Sequence, residues 1–245
     1  MDALETTEDA ILDGRLRLRQ PARGYRINVD TILLAAAVRA PSGARLMEAG
    51  CGVGAASLAV AMRNEGVRVL GIERDQNIAE IARENVAMNA MLDRVEIATG
   101  DVLERNVNWG VFDGVFVNPP FDAEGEGRAP APQRAYAHVS EASPAQWVAA
   151  LCDRLTGGAA LTIIQRAANA EAMLAALEGR LGSPELYPIR VRAEAAAHRV
   201  IICARKGGRA ALKLWKGLDL HDGSGGKYTA EAEAILRGEA ALAWG

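Results

Sequence analysis

The sequence is short of the residues from which metal sites and disulfide frameworks are assembled. Of its 245 residues only three are cysteine (Cys51, Cys152, Cys203) and three are histidine (His138, His198, His221). The cysteines stand far apart, an odd, scattered set that fits neither a disulfide framework nor a zinc site. So few histidines exclude a histidine cluster, and no metal is expected. Unpaired cysteines suit a reducing compartment, and the cytoplasm is the simple reading. Aromatic residues make up only 4%, so a ring beside a motif carries weight. No apolar run approaches the ~18 uncharged residues of a membrane helix. The N-terminal MDALETTEDAILDG is acidic, without the basic-then-apolar order of a signal peptide. A net charge of −3 excludes a wholly basic nucleic-acid binder but leaves room for a local basic patch.

What is present is enough apolar material for one large domain, since half the residues are hydrophobic. From residue 45 a strand–helix rhythm begins. RLMEA, RVLGIE, VEIATGD and GVFV read as four strands, with helices over about 55–64 and 77–90. ALTII near 160–164 reads as the fifth strand, between helices over about 144–155 and 167–181. ELYPI and HRVIICARK follow as the sixth and seventh, joined by a link too short for a helical crossover, so one of them runs antiparallel. The expected architecture is α/β: a Rossmann-like, doubly wound, mostly parallel seven-stranded sheet with one antiparallel strand. A single domain is expected, with a hairpin and helix extension over 1–44, the core over 45–205 and an appended segment over 206–245. ILDGRLRLR (11–19) reads as a hairpin turning at Asp13-Gly14, and Asp30 as the cap of a helix through TILLAAAVRA. Residues 122–142 have no clear period, and an irregular stretch of that length is usually functional.

MEAGCGVGAAS follows the first strand and opens a helix. Gly50, Gly52 and Gly54 let the backbone turn tightly and approach a ligand. Glu73 ends the second strand, at the distance where such folds hold a ribose with a carboxylate. Read as Gly50, Gly52 and Ala55, the loop also satisfies the dinucleotide pattern, so a nicotinamide or flavin enzyme competes. Two features favour S-adenosylmethionine. Glu48 precedes the loop, where its charge suits a cationic methionyl group and would disfavour a pyrophosphate. Asp101, just past the third strand, is placed to accept from an adenine amine.

VFVNPPF (115–121) is an apolar strand halted by Asn118, Pro119 and Pro120, with Phe121 behind them. Ligands of open α/β sheets sit beyond the carboxyl ends of the strands. There the Asn118 side-chain oxygen and the Pro119 carbonyl can draw both N–H bonds of a planar amine out of plane, freeing its lone pair to attack a sulfonium methyl. The bonds become charge-assisted as the nitrogen turns positive, so they strengthen in the transition state. Pro120 stiffens the backbone, and Phe121 offers a face for a stacked base.

Together, Gly50–Gly54, Glu73, Asp101 and Asn-Pro-Pro-Phe resemble the class I S-adenosylmethionine methyltransferases that modify exocyclic or amide nitrogens. The resemblance covers about residues 25–205. RLRLRQPARGYRINVDTILLAAAV and LHDGSGGKYTAEAEAILRGEAAL are similar, more narrowly, to the bacterial tRNA1(Val) adenine-N6 methyltransferases. The resemblance implies that Glu48, Ala49, Gly50, Gly52, Gly54, Glu73, Asp101, Val102 and Asn118 line the cofactor. It implies too that the segment around Asn28 and Asp30 folds over it. Arg74 either stacks near the cofactor adenine or faces solvent. The motif is shared with enzymes acting on guanine N2 of rRNA and on protein glutamine N5, so it does not choose a substrate. A tRNA partner is expected, touched by Arg15, Arg17, Arg19, Arg23 and Arg26 near the hairpin and by Lys213 and Lys216 beside Trp215. Arg128, Arg134, Tyr136 and His138 are further candidates for substrate contact. Trp147 reads as core. A monomer or weak dimer is expected.

Overall fold

A computed structural model describes residues 4–24, 26–104, 106–119, 142–223 and 228–244. Pro120, Phe121, Arg128, Arg134, Tyr136 and His138 lie outside the described residues.

The main sheet is built from β3 (Arg45–Ala49), β4 (Arg68–Glu73), β5 (Val95–Thr99), β6 (Phe112–Val117), β7 (Leu155–Arg166), β8 (Leu181–Arg190) and β9 (Ala197–Lys206). Their order is β8-β9-β7-β6-β3-β4-β5. β9 runs antiparallel to both its neighbours, and the remaining pairings among β3–β7 are parallel. This matches the arrangement expected from the sequence. Two short strands, β10 (Lys213–Leu214) and β11 (Leu218–Asp219), add to the outer edge of β8.

Alternation along the strands divides the core between two faces. Leu46 of β3, Val69 of β4 and Phe116 of β6 pack on one side, with α1 (Val29–Ala37), α2 (Ala55–Arg63), α3 (Gln76–Met88) and α6 (Ala230–Leu236). Met47, Leu70, Val115 and Val117 pack on the other, with α4 (Pro144–Cys152) and α5 (Ala170–Leu177). The last helix is shorter than its sequence suggested. A 3-10 turn over Ala167–Asn169 leads into it, and Gly179 at φ 71° stands just before β8 begins.

The N-terminal hairpin is longer than the sequence suggested. β1 (Thr6–Ile11) pairs with β2 (Leu16–Pro21) across a turn that includes Asp13 and Gly14. β1 is the outer strand of a two-stranded ribbon and none of its residues is buried, so it carries no apolar alternation to read. Asp30 does not cap α1. Asn28 does, with extended backbone and a side chain accepting from the Asp30 N–H at 2.9 Å. Asp30 sits in the first turn, where a carboxylate favours the helix dipole, and it pairs with Arg199 of β9 at 2.9 Å.

The C-terminal segment is fastened to the start of the chain. Arg63, at the end of α2, donates to the carbonyls of Ala240 (2.7 Å) and Ile235 (2.5 Å). The Leu242 N–H donates to the Ala36 carbonyl at 3.1 Å, and Trp244 packs on Tyr187 with ring centroids 5.3 Å apart. Hydrogen bonds from a charged donor contribute about 1.5–3 kcal/mol each. Replacing Arg63 with leucine is therefore expected to lower the unfolding free energy by about 3 kcal/mol in urea denaturation. A loss too small to measure would show that this clamp does not hold the tail.

Candidate functional site

The loop after β3 is shaped by three glycines in left-handed backbone: Gly50 (φ 67°), Gly52 (φ 53°) and Gly54 (φ 80°). A Cβ added at Gly50 or Gly52 would meet no atom within 4 Å. The protein does not crowd these positions, so the glycines serve the backbone conformation and leave a bare surface for a ligand. The loop is tied to β4 at two points. The Cys51 N–H donates to the Ile72 carbonyl at 3.0 Å, and the Gly52 N–H donates to Glu73 Oε2 at 2.9 Å. Glu73 Oε1 accepts from the Asp75 N–H at 3.0 Å. Two backbone donors thus fix this carboxylate at the rim.

A cavity of about 570 Å³ opens over the carboxyl ends of β3, β4, β5 and β6, within the range of small-ligand sites. It brings together Glu48, Ala49, Gly50, Gly52, Glu73, Arg74, Asp101, Val102, Asn118 and Pro119. Gly54 and Asp30 do not line it: Gly54 caps α2, and Asp30 is turned to Arg199. Asp101 also accepts from the Leu103 N–H at 2.8 Å, which fixes the turn after β5.

Glu48 is the unusual group. It is 5% exposed and accepts a 2.5 Å hydrogen bond from Ser57 Oγ of α2. Burial pushes its carboxyl up to about 8; the hydrogen bonds from Ser57 oppose the shift and the charge of Glu73 adds to it. In the ligand-free protein the group is therefore largely protonated at neutral pH, and it ionises readily when a cation arrives.

Sequence reading missed part of the lining. Ile27, Thr31 and Leu34 come from the N-terminal helix and its approach, Ile78 from α3, and Leu103 from the turn after β5. Trp147 of α4 is buried as expected, yet it also lines the cavity. The open end of the hairpin contributes Leu4, Glu5, Pro21, Ala22 and Arg23. Such residues carry no motif, and only the fold brings them to the pocket.

The basic patch looks different in three dimensions. Arg17 pairs with Glu8, Arg19 with Glu84 at 2.7 Å and Arg26 with Asp9 at 2.8 Å. Arg15 donates to the backbone carbonyls of Leu12 and Arg237. Arg23 stands at the cavity rim. The excess positive charge read along residues 11–30 is thus offset by acids from β1 and α3. Lys213 lies over the Trp215 ring at 3.4 Å, and the Trp215 indole donates to Glu185 at 2.9 Å. These residues, with Lys216, lie beyond β8, four strands from β6 and roughly 19 Å away at sheet spacing.

Among the described residues no helix is long and apolar enough to cross a membrane, and no group of three or more His, Cys, Asp or Glu is placed to hold a metal ion.

The family model of the methyltransferase small domain matches residues 25–143. That match covers 119 of the 245 residues. The chain shares the fold of the class I methyltransferases. A protein of Agrobacterium tumefaciens described as a predicted O-methyltransferase has a TM-score of 0.74 and 28% identity, over 87% of this chain and 98% of that one. A Thermus thermophilus 16S rRNA N2 methyltransferase, solved with AdoMet and guanosine, shares the fold at TM-score 0.57 and 18% identity, over 84% of this chain and 51% of that one. A Porphyromonas gingivalis tRNA1(Val) (adenine(37)-N6)-methyltransferase is 35% identical over 138 residues, 53% of this chain and 54% of that protein. The match thus spans about half the length of that curated relative.

The chemistry of the cavity fits S-adenosylmethionine. Two unobstructed glycines floor it, carboxylates at its rim suit hydroxyls and an amine, and a buried acid suits a sulfonium and ammonium rather than a pyrophosphate. When the site is empty, the raised Glu48 carboxyl contributes stability that is full below about pH 4.5 and is lost as pH climbs through about 8. The span corresponds to something on the order of 5 kcal/mol. Melting of the ligand-free protein is expected to fall between pH 5 and 8, and Glu48→Gln to flatten that fall. Cofactor binding near pH 7 is expected to release about one proton, read by calorimetry in buffers of different ionisation enthalpy. Equal heats in all buffers would remove Glu48 from the cationic end of the ligand.

Proposed function

We propose that this protein transfers a methyl group from S-adenosylmethionine to an exocyclic amino group, adenine N6 of a tRNA, in the cytoplasm and as a monomer or weak dimer. One observation carries the reading. Asn118 and Pro119, at the end of β6, open into the same cavity as the glycine loop, Glu73 and Asp101. The adenine choice is supported by the name of the P. gingivalis relative.

Bound S-adenosylmethionine supplies an electrophilic methyl. The chain's own residues do the rest. The glycine loop admits the methionyl part close to the backbone, and Glu73 accepts from the ribose hydroxyls. Asp101, with Val102 beside it, holds the adenine, and Arg74 stacks at its edge. Glu48, ionised by the approaching positive charge, holds the cationic end. At the acceptor side the Asn118 side-chain oxygen and the Pro119 carbonyl accept hydrogen bonds from the two amine N–H groups. The amine needs no general base before attack, because its nitrogen becomes acidic once methylated and gives its proton to water.

Pro120 and Phe121 complete this reading as a rigid backbone and a stacking face for the base. Arg15, Arg17, Arg19, Arg23, Arg26, Lys213 and Lys216 are proposed to meet RNA phosphates. Of these, Arg23 is the one at the cavity mouth. Arg17, Arg19 and Arg26 exchange their carboxylates for phosphates, an exchange made easy because exposed ion pairs contribute only ~0–1 kcal/mol.

Asn118→Ala is expected to lower methyl transfer to total tRNA at least ~100-fold while the S-adenosylmethionine dissociation constant stays within about threefold, since the proposed role of its carboxamide is exerted on the acceptor amine in the transition state. Nucleoside analysis of the labelled product identifies the base. Label in protein glutamine, in guanine N2 or on a hydroxyl would overturn the adenine assignment, and lost cofactor binding in the variant would overturn the role of Asn118.

A further inference from the structure

The hairpin is joined to α3 by an unusual contact. Asn85 and Asn89 stand four residues apart, one helical turn, and their side-chain amides behave as a strand edge toward β2. Asn85 Oδ1 accepts from the Arg19 N–H at 2.7 Å and Asn85 Nδ2 donates to the Arg19 carbonyl at 2.8 Å. Asn89 repeats the pattern on Arg17, at 3.0 and 2.7 Å. The two carboxamides thus mimic the alternating donor and acceptor of a third strand, while β1 pairs with the other edge of β2.

The two asparagines differ in one respect. Asn85 is fully buried, and its second N–H donates to the Val53 carbonyl at 2.9 Å. Val53 lies in the glycine loop, next to Gly52, whose own N–H holds Glu73. The second Nδ2 contact of Asn89 goes back to its own helix, to the Asn85 carbonyl. One side chain therefore bonds both the loop beneath the cavity and the hairpin whose open end covers its side.

We propose that Asn85 is a positioning residue for the cofactor: it fixes the glycine loop and the N-terminal hairpin relative to each other, so that closing the hairpin over the cavity and tightening the loop are one event. The inference rests on the S-adenosylmethionine reading of the cavity. With all three polar contacts of its amide satisfied, replacing the side chain strands the buried Val53 carbonyl and the backbone of Arg19 together, and such groups are destabilising when left unpaired. Asn89 supplies an internal control, because its loss frees the same kind of hairpin contact and leaves Val53 untouched.

Wild type, Asn85→Ala and Asn89→Ala are compared by amide hydrogen exchange without ligand and by S-adenosylmethionine titration. Both variants are expected to exchange faster in β2. Only Asn85→Ala is expected to exchange faster at Gly52 and Gly54, and only it is expected to weaken cofactor binding, by about tenfold. Asn85→Ser, which leaves a hydroxyl for one of the stranded groups, serves if the alanine variant does not fold. Faster exchange of the glycine loop in both variants, or in neither, overturns the assignment. So does a loop-specific change that leaves the dissociation constant equal in all three proteins. Because exchange is read on ligand-free protein, a wild type that binds no S-adenosylmethionine but keeps the exchange contrast sinks the cofactor reading and leaves the joint standing.

Discussion

Parallel pairing of β3 with β4 on one side and β6 on the other is the constraint on which the rest of this molecule depends. Parallel neighbours end at the same edge of the sheet, so their carboxyl termini arrive together whatever lies between them in sequence. Glu48 is held in register with Gly71 of β4 and Phe116 of β6. The same pairing sets Glu73 and Asn118 at the two flanks of the glycine loop. A Cβ on Gly71 would come within 2.9 Å of Cys51 Sγ and 2.8 Å of Ile97 Cδ1. The strand next to the loop is bare because the loop lies directly on it.

The electrostatics follow from this placement. Among the described residues Glu48 pairs with no cationic side chain, and it finds Ser57 and a second acid nearby. A buried carboxyl in such company is destabilising when charged, which makes it a poor structural element and a good receiver for a positively charged ligand. Glu73 differs because two backbone N–H groups hold its carboxylate oxygens at the rim. One acid is marked by its burial and the other by its donors.

Much of this was legible in the sequence. Most strands of the main sheet stand out by apolar runs bounded by turn residues, and an antiparallel strand among the last two follows from a connection too short for a helix. The glycine loop, Glu73 and Asn-Pro stand out because left-handed backbone, a strand-end acid and a proline stop each need particular residue types. Other features left no such trace. β1 is polar on both faces, and the cap of α1 lay two residues earlier than Asp30, since both asparagine and aspartate cap well. The arginines of the hairpin read as free cations only until Glu8, Asp9 and Glu84 are folded against them. Asn85 and Asn89 look like ordinary helix polar residues, and nothing local marks them as partners of a strand more than sixty positions away.

The fastening of the tail has a consequence for how the chain is made. Arg63 and Ala36 bond carbonyl and N–H groups of residues 235–242, and Trp244 shares a core with the buried leucines of α1. A nascent polypeptide leaving the ribosome has its first two helices long before those late partners exist. Their apolar face stays uncovered until residues 235–244 have been made, so the risk of self-association is greatest in the interval of synthesis between the two.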